Sequence, residues 1–181
     1  LVTTDTEIES QNMVDYLCSC GHKRIAFITS GDEGLGRCHL NGYKRSLEKN
    51  GLEYDEKLII RLKPAKRIYT IENGYNCTCE LLKSGVDFSC IYAISDTLAV
   101  GACRAIIDSG KRVPEDYCVA GADGQDIAEY YHPSITTLKY PRVETAQQSV
   151  RTLFDMIDRK KVVKRQILGG TLIERESTRK L

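Results

Sequence analysis

Residues 90–123 read CIYAISDTLAVGACRAIIDSGKRVPEDYCVAGAD, which is a complete strand–helix–strand pattern. Residues 90–94 form a short apolar run of β-branched and aromatic type, which is typical of a buried strand. Apolar residues then recur at helical spacing over 98–107, and Gly110 ends the predicted helix. Residues 117–120 predict a second strand. Two parallel strands joined by one helix are connected by a right-handed crossover.

Polar side chains stand where these two predicted strands end. Ser95 follows the first strand, and Asp123 closes the stretch after the second. Ligands of open α/β sheets bind beyond the carboxyl ends of the strands, where neighbouring strands present one common rim. If the two strands are neighbours, Ser95 and Asp123 line the same binding site.

The flanking sequence continues the alternation of strands and helices. The predicted strands cover 25–28, 58–60 and 135–140, and the predicted helices cover 7–20, 37–50, 71–82 and 143–157. A basic loop occupies 63–67, and the strand-like tail at 166–174 is interrupted by Gly169 and Gly170. This alternation predicts an α/β fold with a largely parallel, doubly wound sheet.

Composition limits the classes of partner. The formal net charge of +1 gives no global attraction to nucleic acid or to an anionic membrane. No apolar run reaches the roughly 20 residues that a membrane span needs. We therefore expect no membrane association and no binding of nucleic acid driven by the overall charge of this chain.

The eight cysteines favour a reducing compartment. Most of them fall within helical or strand patterns, so we expect reduced thiols that fill the core of a cytoplasmic protein. A secreted, disulfide-linked protein is the less favoured alternative. Residues 1–10 lack the apolar core of a signal peptide, and the absence of an initiator Met predicts that the chain begins inside a longer one.

An ordered set of short motifs extends over nearly the whole chain. Its members are GHKRIAFI at 21–28, NGY at 41–43, Ser95-Asp96 with Ala99 and Gly101, GKRVPED at 110–116, GAD at 121–123, PSITT at 133–137 and LIEREST at 172–178. In this order and spacing the set resembles the effector-binding domain of LacI/GalR-family transcriptional regulators, which has the type I periplasmic-binding-protein fold.

The resemblance implies a fragment centred on the C-terminal lobe of that domain. Residues 20–133 would form this lobe, whereas 1–19 and 134–165 would belong to, or cross back to, a largely absent N-terminal lobe. The DNA-binding helix-turn-helix is expected to be absent from this chain. The implied function is that of a repressor's sensing domain, in which a small effector, a sugar or a nucleoside or purine, controls operator binding by a homodimer.

The resemblance also assigns two residues of the central stretch to the effector site. Asp123 matches an effector-binding aspartate, whose carboxylate accepts hydrogen bonds from vicinal hydroxyls. Its alternative is a cap or turn residue for the segment that follows. Ser95 matches a position that is often Asn in the family, and its alternative is the N-cap of the helix.

Three further residues are candidate ligand contacts. His39 stands where the family usually has Arg, so the class of ligand is open at this point. Arg37 lies two residues earlier and could take over that role, although it also matches an arginine that many members keep. Tyr69 matches a position where several members stack an aromatic ring on the ligand, and its alternative is a surface tyrosine.

Other functional patterns are weak. Gly31, Gly34 and Gly36 do not have dinucleotide-loop spacing, and Cys18, Cys20 and His22 lack a second ligand pair for zinc. No serine or cysteine has a motif-placed base, so we expect no enzyme, no metal and no cofactor. The alternative from another class is the solute-binding protein of a sugar transporter, which shares the fold.

Overall fold

A computed structural model describes residues 1–63 and 67–181 of the chain. Most of the predicted basic loop, residues 64–66, lies outside the described residues. The elements in chain order are β1 (Val2–Thr3), α1 (Thr6–Ser19), β2 (Ile25–Thr29), α2 (Gly34–Lys49), a 3-10 turn (Glu56–Leu58), β3 (Ile59–Arg61), α3 (Ile71–Lys83), β4 (Cys90–Ala93), α4 (Asp96–Asp108), β5 (Cys118–Asp123), α5 (Asp126–Tyr130), β6 (Thr136–Lys139), α6 (Arg142–Ile157), β7 (Gln166–Ile167) and β8 (Thr171–Ile173).

Six strands form the main sheet in the order β3-β2-β4-β5-β6-β8. All neighbours in it are parallel except β6 and β8, which are antiparallel. The chain reverses its direction along the sheet after β3, so right-handed crossovers put α2 on one face and α3 and α4 on the other. The predicted doubly wound, largely parallel α/β fold is confirmed.

The central stretch folds as the sequence predicts, with β4 and β5 as neighbours. Cys90 pairs with Cys118 and Tyr92 with Ala120. The second strand is longer than predicted and runs to Asp123, because residues 121–123 pair with Thr137, Leu138 and Lys139 of β6. Ser95 and Asp123 consequently stand at one rim of the sheet.

The helix after the Gly-rich loop begins earlier than predicted, at Gly34 instead of Arg37. Gly36 makes this possible because an added Cβ would lie 2.7 Å from Ser30 Oγ and would also overlap the Gly31 carbonyl oxygen. The first turn of α2 therefore packs directly on the end of β2, which brings Leu35 towards the rim.

The core lies between the sheet and its two helical layers. On the side of α1 and α2, Phe27 stacks between Tyr43 and Tyr92, with ring centroids 5.0 Å and 5.1 Å apart. All eight cysteines are free, and four of them lie in the buried interior, namely Cys20, Cys90, Cys103 and Cys118. They act there as small apolar side chains, which is the role predicted for them.

A smaller unit stands beside the main sheet and consists of the parallel pair β1–β7 together with α6. The tail breaks at Gly169 and Gly170 as predicted, since β7 belongs to this small unit and β8 to the main sheet. α6 exposes an apolar face, with Phe154 62% and Ile157 65% exposed. None of the described helices is long and apolar enough to cross a membrane.

The expected division at residues 20 and 133 stays a prediction. Within the described residues, Met13 and Leu17 of α1 are fully buried in the main core, and β6 is a strand of the main sheet. Of the described elements, β1, β7 and α6 stand apart from the main sheet and from the helices packed on it. The chain thus passes between the two units at 4–5, 140–141 and 168–170. We call these segments the three passages.

Asp96 connects the elements that meet at the rim of the sheet. Its side chain is fully buried and accepts hydrogen bonds from Thr137 Oγ1 and from the Gln125 backbone N–H, both at 2.6 Å. These bonds join the start of α4 to β6 and to the turn that follows Asp123. Burial, the largest cause, raises the pKa of Asp96 to about 6.

Helices α3 and α4 pack at unusually short range through two glycines. A Cβ on Gly101 would overlap the Ile71 carbonyl oxygen and lie 2.6 Å from the Tyr75 backbone nitrogen. A Cβ on Gly74 would overlap the Leu98 carbonyl oxygen. The two backbones meet only because both positions lack side chains.

We expect Gly101→Ala to lower the free energy of unfolding by about 1–3 kcal/mol, because the atoms that the methyl group meets are backbone and cannot rotate away. Denaturant unfolding measures the change. Asn76→Ala, at an exposed position of α3, is the control and should change it by less than about 0.5 kcal/mol. Equal stability of the Gly101 variant and wild type would contradict the close packing.

We expect Asp96→Asn to destabilise the fold by about 1–3 kcal/mol, because an amide offers one acceptor where two buried donors need partners. The folded pKa of Asp96 lies above its ordinary value of 3.8. Its contribution to stability is thus fully present below about pH 3.8 and is lost as the pH rises through about 6.

Unfolding curves from pH 3.5 to pH 7 test the Asp96 prediction. The difference between wild type and Asp96→Asn should shrink as the pH rises. Asp108→Asn is the control, since Asp108 lies on the same helix and forms a surface ion pair with Arg104 at 2.9 Å. A difference that does not change with pH would contradict the assigned pKa shift.

Candidate functional site

A cleft of about 360 Å³ opens at the carboxyl ends of β4 and β5. Its lining residues come from the strand ends, from the start of α2 and from two passages; they are Thr3, Thr4, Thr6, Leu35, His39, Tyr69, Ile94, Ser95, Asp123 and Tyr140. A larger depression of about 600 Å³ lies on the exposed face of α6. The 360 Å³ cleft is the candidate site because it lies beyond the carboxyl ends of the parallel strands and because its polar lining includes the buried Ser95 and His39.

Asp123 lies at the floor of the cleft where β5 ends. Its backbone φ is +103°, in the left-handed region that Asp tolerates better than most residues, and this turns the chain away from the sheet. The carboxylate accepts a hydrogen bond of 2.9 Å from Gln125 Nε2. Burial raises the pKa of Asp123, an effect partly offset by Gln125 and by the positive charge of Arg142.

Ser95 is buried and caps α4, since its Oγ accepts a hydrogen bond from the Leu98 N–H at 3.4 Å. The same hydroxyl lies 2.9 Å from Thr97 Oγ1. Ser95 is therefore the N-cap of α4, as its alternative role predicts, and it also lines the cleft. Capping does not exclude ligand contact, because a hydroxyl oxygen has one proton to donate and two lone pairs.

His39 lies at the back of the cleft and is only 6% exposed, so the alternative of an exposed histidine at a helix end is wrong. Burial lowers its pKa to about 4, and the imidazole is therefore neutral at pH 7. The backbone oxygen of His39 accepts a hydrogen bond from Ser10 Oγ at 2.8 Å, whereas the buried Nδ1 has no partner among the described residues.

Tyr69 stands at the mouth of the cleft with 44% of its surface exposed. Its backbone oxygen accepts a hydrogen bond of 3.2 Å from Thr97 Oγ1, which fixes the loop beside the start of α4. Arg37 is exposed and is not among the lining residues. Residues two apart on a helix point to different sides, so α2 cannot aim both Arg37 and His39 into the cleft.

The structure thus brings together four of the five predicted residues, namely Asp123, Ser95, His39 and Tyr69. Sequence reasoning missed Leu35, Ile94, Tyr140 and the threonines at 3, 4 and 6. Tyr140 could have been found, since it ends a predicted strand, as Ile94 does. The threonines lie in a segment that the resemblance assigns to another lobe, and the sequence pattern predicts a loop at Leu35.

The chemistry of the lining is that of hydrogen-bond acceptors and hydroxyls beside apolar surface. Within residues 1–63 and 67–181, the lining contains one carboxylate, a neutral imidazole, hydroxyls of serine, threonine and tyrosine, and neither lysine nor arginine. Among residues 1–63 and 67–181, no group of three or more His, Cys, Asp or Glu side chains could hold a metal ion. Such a surface suits an uncharged, hydroxyl-bearing molecule with an apolar face.

Comparison with known proteins agrees with this geometry. The family model described as "Periplasmic binding protein-like domain" matches residues 14–178. The chain is 40% identical over 146 residues to the HTH-type transcriptional regulator MalR of Clostridium butyricum, covering 81% of the chain and 42% of MalR. The chain spans about half the length of the curated relatives it matches or less.

Two solved structures are also similar. The Escherichia coli transcriptional repressor AscG superposes with a TM-score of 0.87 at 33% identity, over 96% of this chain and 62% of that one. A complex of the transcriptional regulator CelR with cellobiose gives a TM-score of 0.85 at 31% identity, over 97% and 53%. The chain therefore belongs to the periplasmic binding protein-like domain family, in the form found in LacI/GalR-type transcriptional regulators.

Proposed function

We propose that this chain is the ligand-sensing part of a transcriptional repressor and that it binds a small uncharged polyol, a sugar, in the 360 Å³ cleft. The observation that carries this proposal is the convergence of Asp123, Ser95, His39 and Tyr69 on one cleft at the carboxyl ends of the strands. The relatives, which are transcriptional regulators, favour the same reading.

Each side chain has a role in sugar recognition. The Asp123 carboxylate accepts hydrogen bonds from adjacent ligand hydroxyls, and the neutral imidazole of His39 lines the cleft as a further polar group. The ring of Tyr69 provides an apolar surface for the C–H face of a sugar. The described part of the lining supplies no cation to pair with a phosphate or carboxylate, so an uncharged ligand is favoured.

Nucleosides and purines are the second class of ligand. A ribose has the adjacent hydroxyls that suit Asp123, and a purine ring would lie on Tyr69. The similar CelR structure is a complex with cellobiose, and by analogy a sugar is the favoured class of ligand for this chain.

Ligand binding would act on DNA indirectly. The strand ends form one wall of the cleft, and Thr3, Thr4, Thr6 and Tyr140 form the other beside the passages. A ligand that contacts both walls favours their closed arrangement, and in a homodimer such closure changes the spacing of DNA-binding segments. Operator binding is assigned to a helix-turn-helix outside this chain, and the cytoplasm is the proposed location.

The exposed face of α6 supports the proposed division into lobes. Val150, Leu153, Phe154 and Ile157 are between 54% and 65% exposed on one helix. Such a continuous apolar surface is typical of an interface. We assign the cover to an N-terminal lobe outside this chain, towards which the small unit of β1, β7 and α6 leads.

The alternative, a transporter's solute-binding protein, is less favoured because the relatives reported above are transcriptional regulators. An enzyme is not proposed, since the cleft lacks a nucleophile paired with a base. The imidazole of His39 has no hydrogen-bond partner at Nδ1 among the described residues.

We expect the full-length protein to be stabilised against heat by at least one member of a panel of sugars, nucleosides and purines that includes cellobiose and ribose. A ligand at 100 times its dissociation constant adds about 2.7 kcal/mol to the free energy of unfolding. Asp123→Asn should weaken that ligand's binding at least about tenfold, or about 1.4 kcal/mol. Asn tolerates the positive φ at this position, so the fold is kept.

Asp126→Asn is the matched control for Asp123→Asn, since Asp126 lies three residues away and does not line the cleft. The dissociation constant of the ligand from the Asp126→Asn variant, measured by calorimetry, should equal the wild-type value. Equal binding by the Asp123 variant would contradict the site, and stabilisation by anionic ligands alone would contradict the proposed ligand class.

We expect Tyr69→Ala to weaken binding of the same ligand roughly tenfold, because the variant loses the ring that covers the ligand's apolar face. The unfolding midpoint of the free protein should change little, since the ring is 44% exposed. Tyr130→Ala is the control, at an 82% exposed tyrosine outside the cleft. Equal dissociation constants for both variants would show that Tyr69 is a surface residue only.

A further inference from the structure

Glu9 is a carboxylate whose position is unusual for its chemistry. It lies in the first turn of α1 and is only 3% exposed. Its Oε1 accepts one hydrogen bond, from the Gly170 N–H at 3.0 Å, and its buried Oε2 has no partner among the described residues. Burial of a carboxylate with a single donor is unfavourable for its ionised form.

The contacts of Glu9 reach the passages between the main sheet and the small unit. Gly170 belongs to the passage at 168–170 and is bound directly. Thr4, in the passage at 4–5, carries a hydroxyl near the Glu9 carboxylate. Burial is the main cause that raises the pKa of Tyr140, in the passage at 140–141, and the nearby Tyr92 and Glu9 add to it. Thr4 and Tyr140 both line the cleft.

The passage at Gly170 fits closely around this carboxylate. A Cβ added to Gly170 would lie 2.7 Å from Leu138 Cδ2, 2.9 Å from Glu9 Oε1 and 3.2 Å from the Lys139 carbonyl oxygen. The backbone can run between Glu9 and the end of β6 because this residue has no side chain. The hydrogen bond from Gly170 is therefore part of a tightly packed arrangement at the join of the two units.

We propose that Glu9 is a positioning residue of the cleft, which holds the passages that carry Thr4 and Tyr140 against the main sheet when it is protonated and releases them when it is ionised. The significance of this movement for ligand binding rests on the proposed function. Glu9 itself does not line the cleft, so it acts on the ligand through the wall that it positions.

The surroundings of Glu9 favour the protonated form in the closed arrangement. Burial is the largest cause and raises its pKa to about 7, while Gly170 and Thr4 lower the pKa and the charge of Asp5 raises it. Tyr92 of β4 and Tyr140 are the other titratable groups facing it. No lysine or arginine of the described residues is among the causes of the shift.

The sign of the pH effect follows from these values. When the passages open, Glu9 meets water and regains its ordinary pKa of 4.5, against about 7 when closed. The stabilisation of the closed form is thus complete below about pH 4.5 and is lost as the pH rises to about 7. Above that pH Glu9 is ionised in both the closed and the open form, so the equilibrium constant for opening no longer changes with pH.

Hydrogen–deuterium exchange of the ligand-free, full-length protein tests the proposal without requiring a known ligand. The protection factor of residues 168–173, corrected for the intrinsic pH dependence of exchange, should fall about tenfold per pH unit from pH 5 to pH 7. In Glu9→Gln it should not vary with pH, because the amide keeps an acceptor for Gly170 and cannot ionise.

Glu7→Gln is the matched control, since Glu7 lies on the same helix and pairs with Arg45 at 2.8 Å. The Glu7→Gln variant should show the same pH dependence of this protection factor as the wild type. A wild-type profile that is flat, or one that persists in Glu9→Gln, would overturn the proposal. So would equal protection of 168–173 and of β2, because release would then require unfolding of the whole domain. If Glu9→Gln does not fold, a flat wild-type profile, or equal protection of 168–173 and of β2, still overturns the proposal.

Discussion

The candidate site depends on the two hydrogen bonds that the buried Asp96 carboxylate accepts. They come from Thr137 Oγ1 and the Gln125 N–H, each at 2.6 Å, and they join the helix start after β4 to the turn after β5 and to β6. Parallel strands end at one rim, but their loops could point in many directions. Asp96 removes that freedom and so determines where Ser95 and Asp123 stand. A buried carboxyl group with two donors is well suited to this role because a lost partner is costly.

The two walls of the cleft differ in how strongly burial and hydrogen bonds hold them in place. The strand-end wall rests on the fully buried central strands β2 and β4 and on the Asp96 bonds. The opposite wall consists of the passages, which have little regular structure and are held at Gly170 by the incompletely paired Glu9. A site with one rigid and one movable wall suits a sensor. A ligand can shift the equilibrium between the open and closed arrangements because the two differ little in free energy.

Much of the fold and part of the site could be predicted from local patterns. The strand–helix–strand unit at 90–123, the break at Gly169 and Gly170 and the rim position of Ser95 and Asp123 follow from periodicity, glycine placement and the crossover rule. Element ends were less certain. Helix α2 begins three residues early, because the close approach of Gly36 to Ser30 is a tertiary contact. The second strand is longer because β6 pairs with residues 121–123.

By itself the sequence determined the fold class and the position of the rim, since both depend on the order and spacing of strands and helices. Order and spacing also put Ser95 and Asp123 at that rim, whereas His39, Arg37 and Tyr69 are candidates only through the resemblance to a known family. Only the tertiary structure decided which neighbours each residue has. It buried His39, put Arg37 on the exposed side of α2, brought Thr4 and Tyr140 into the cleft and placed Glu9 against Gly170. Glu9 and Gly170 are 161 positions apart, and the burial that sets the pKa of Glu9 exists only once distant segments have packed together.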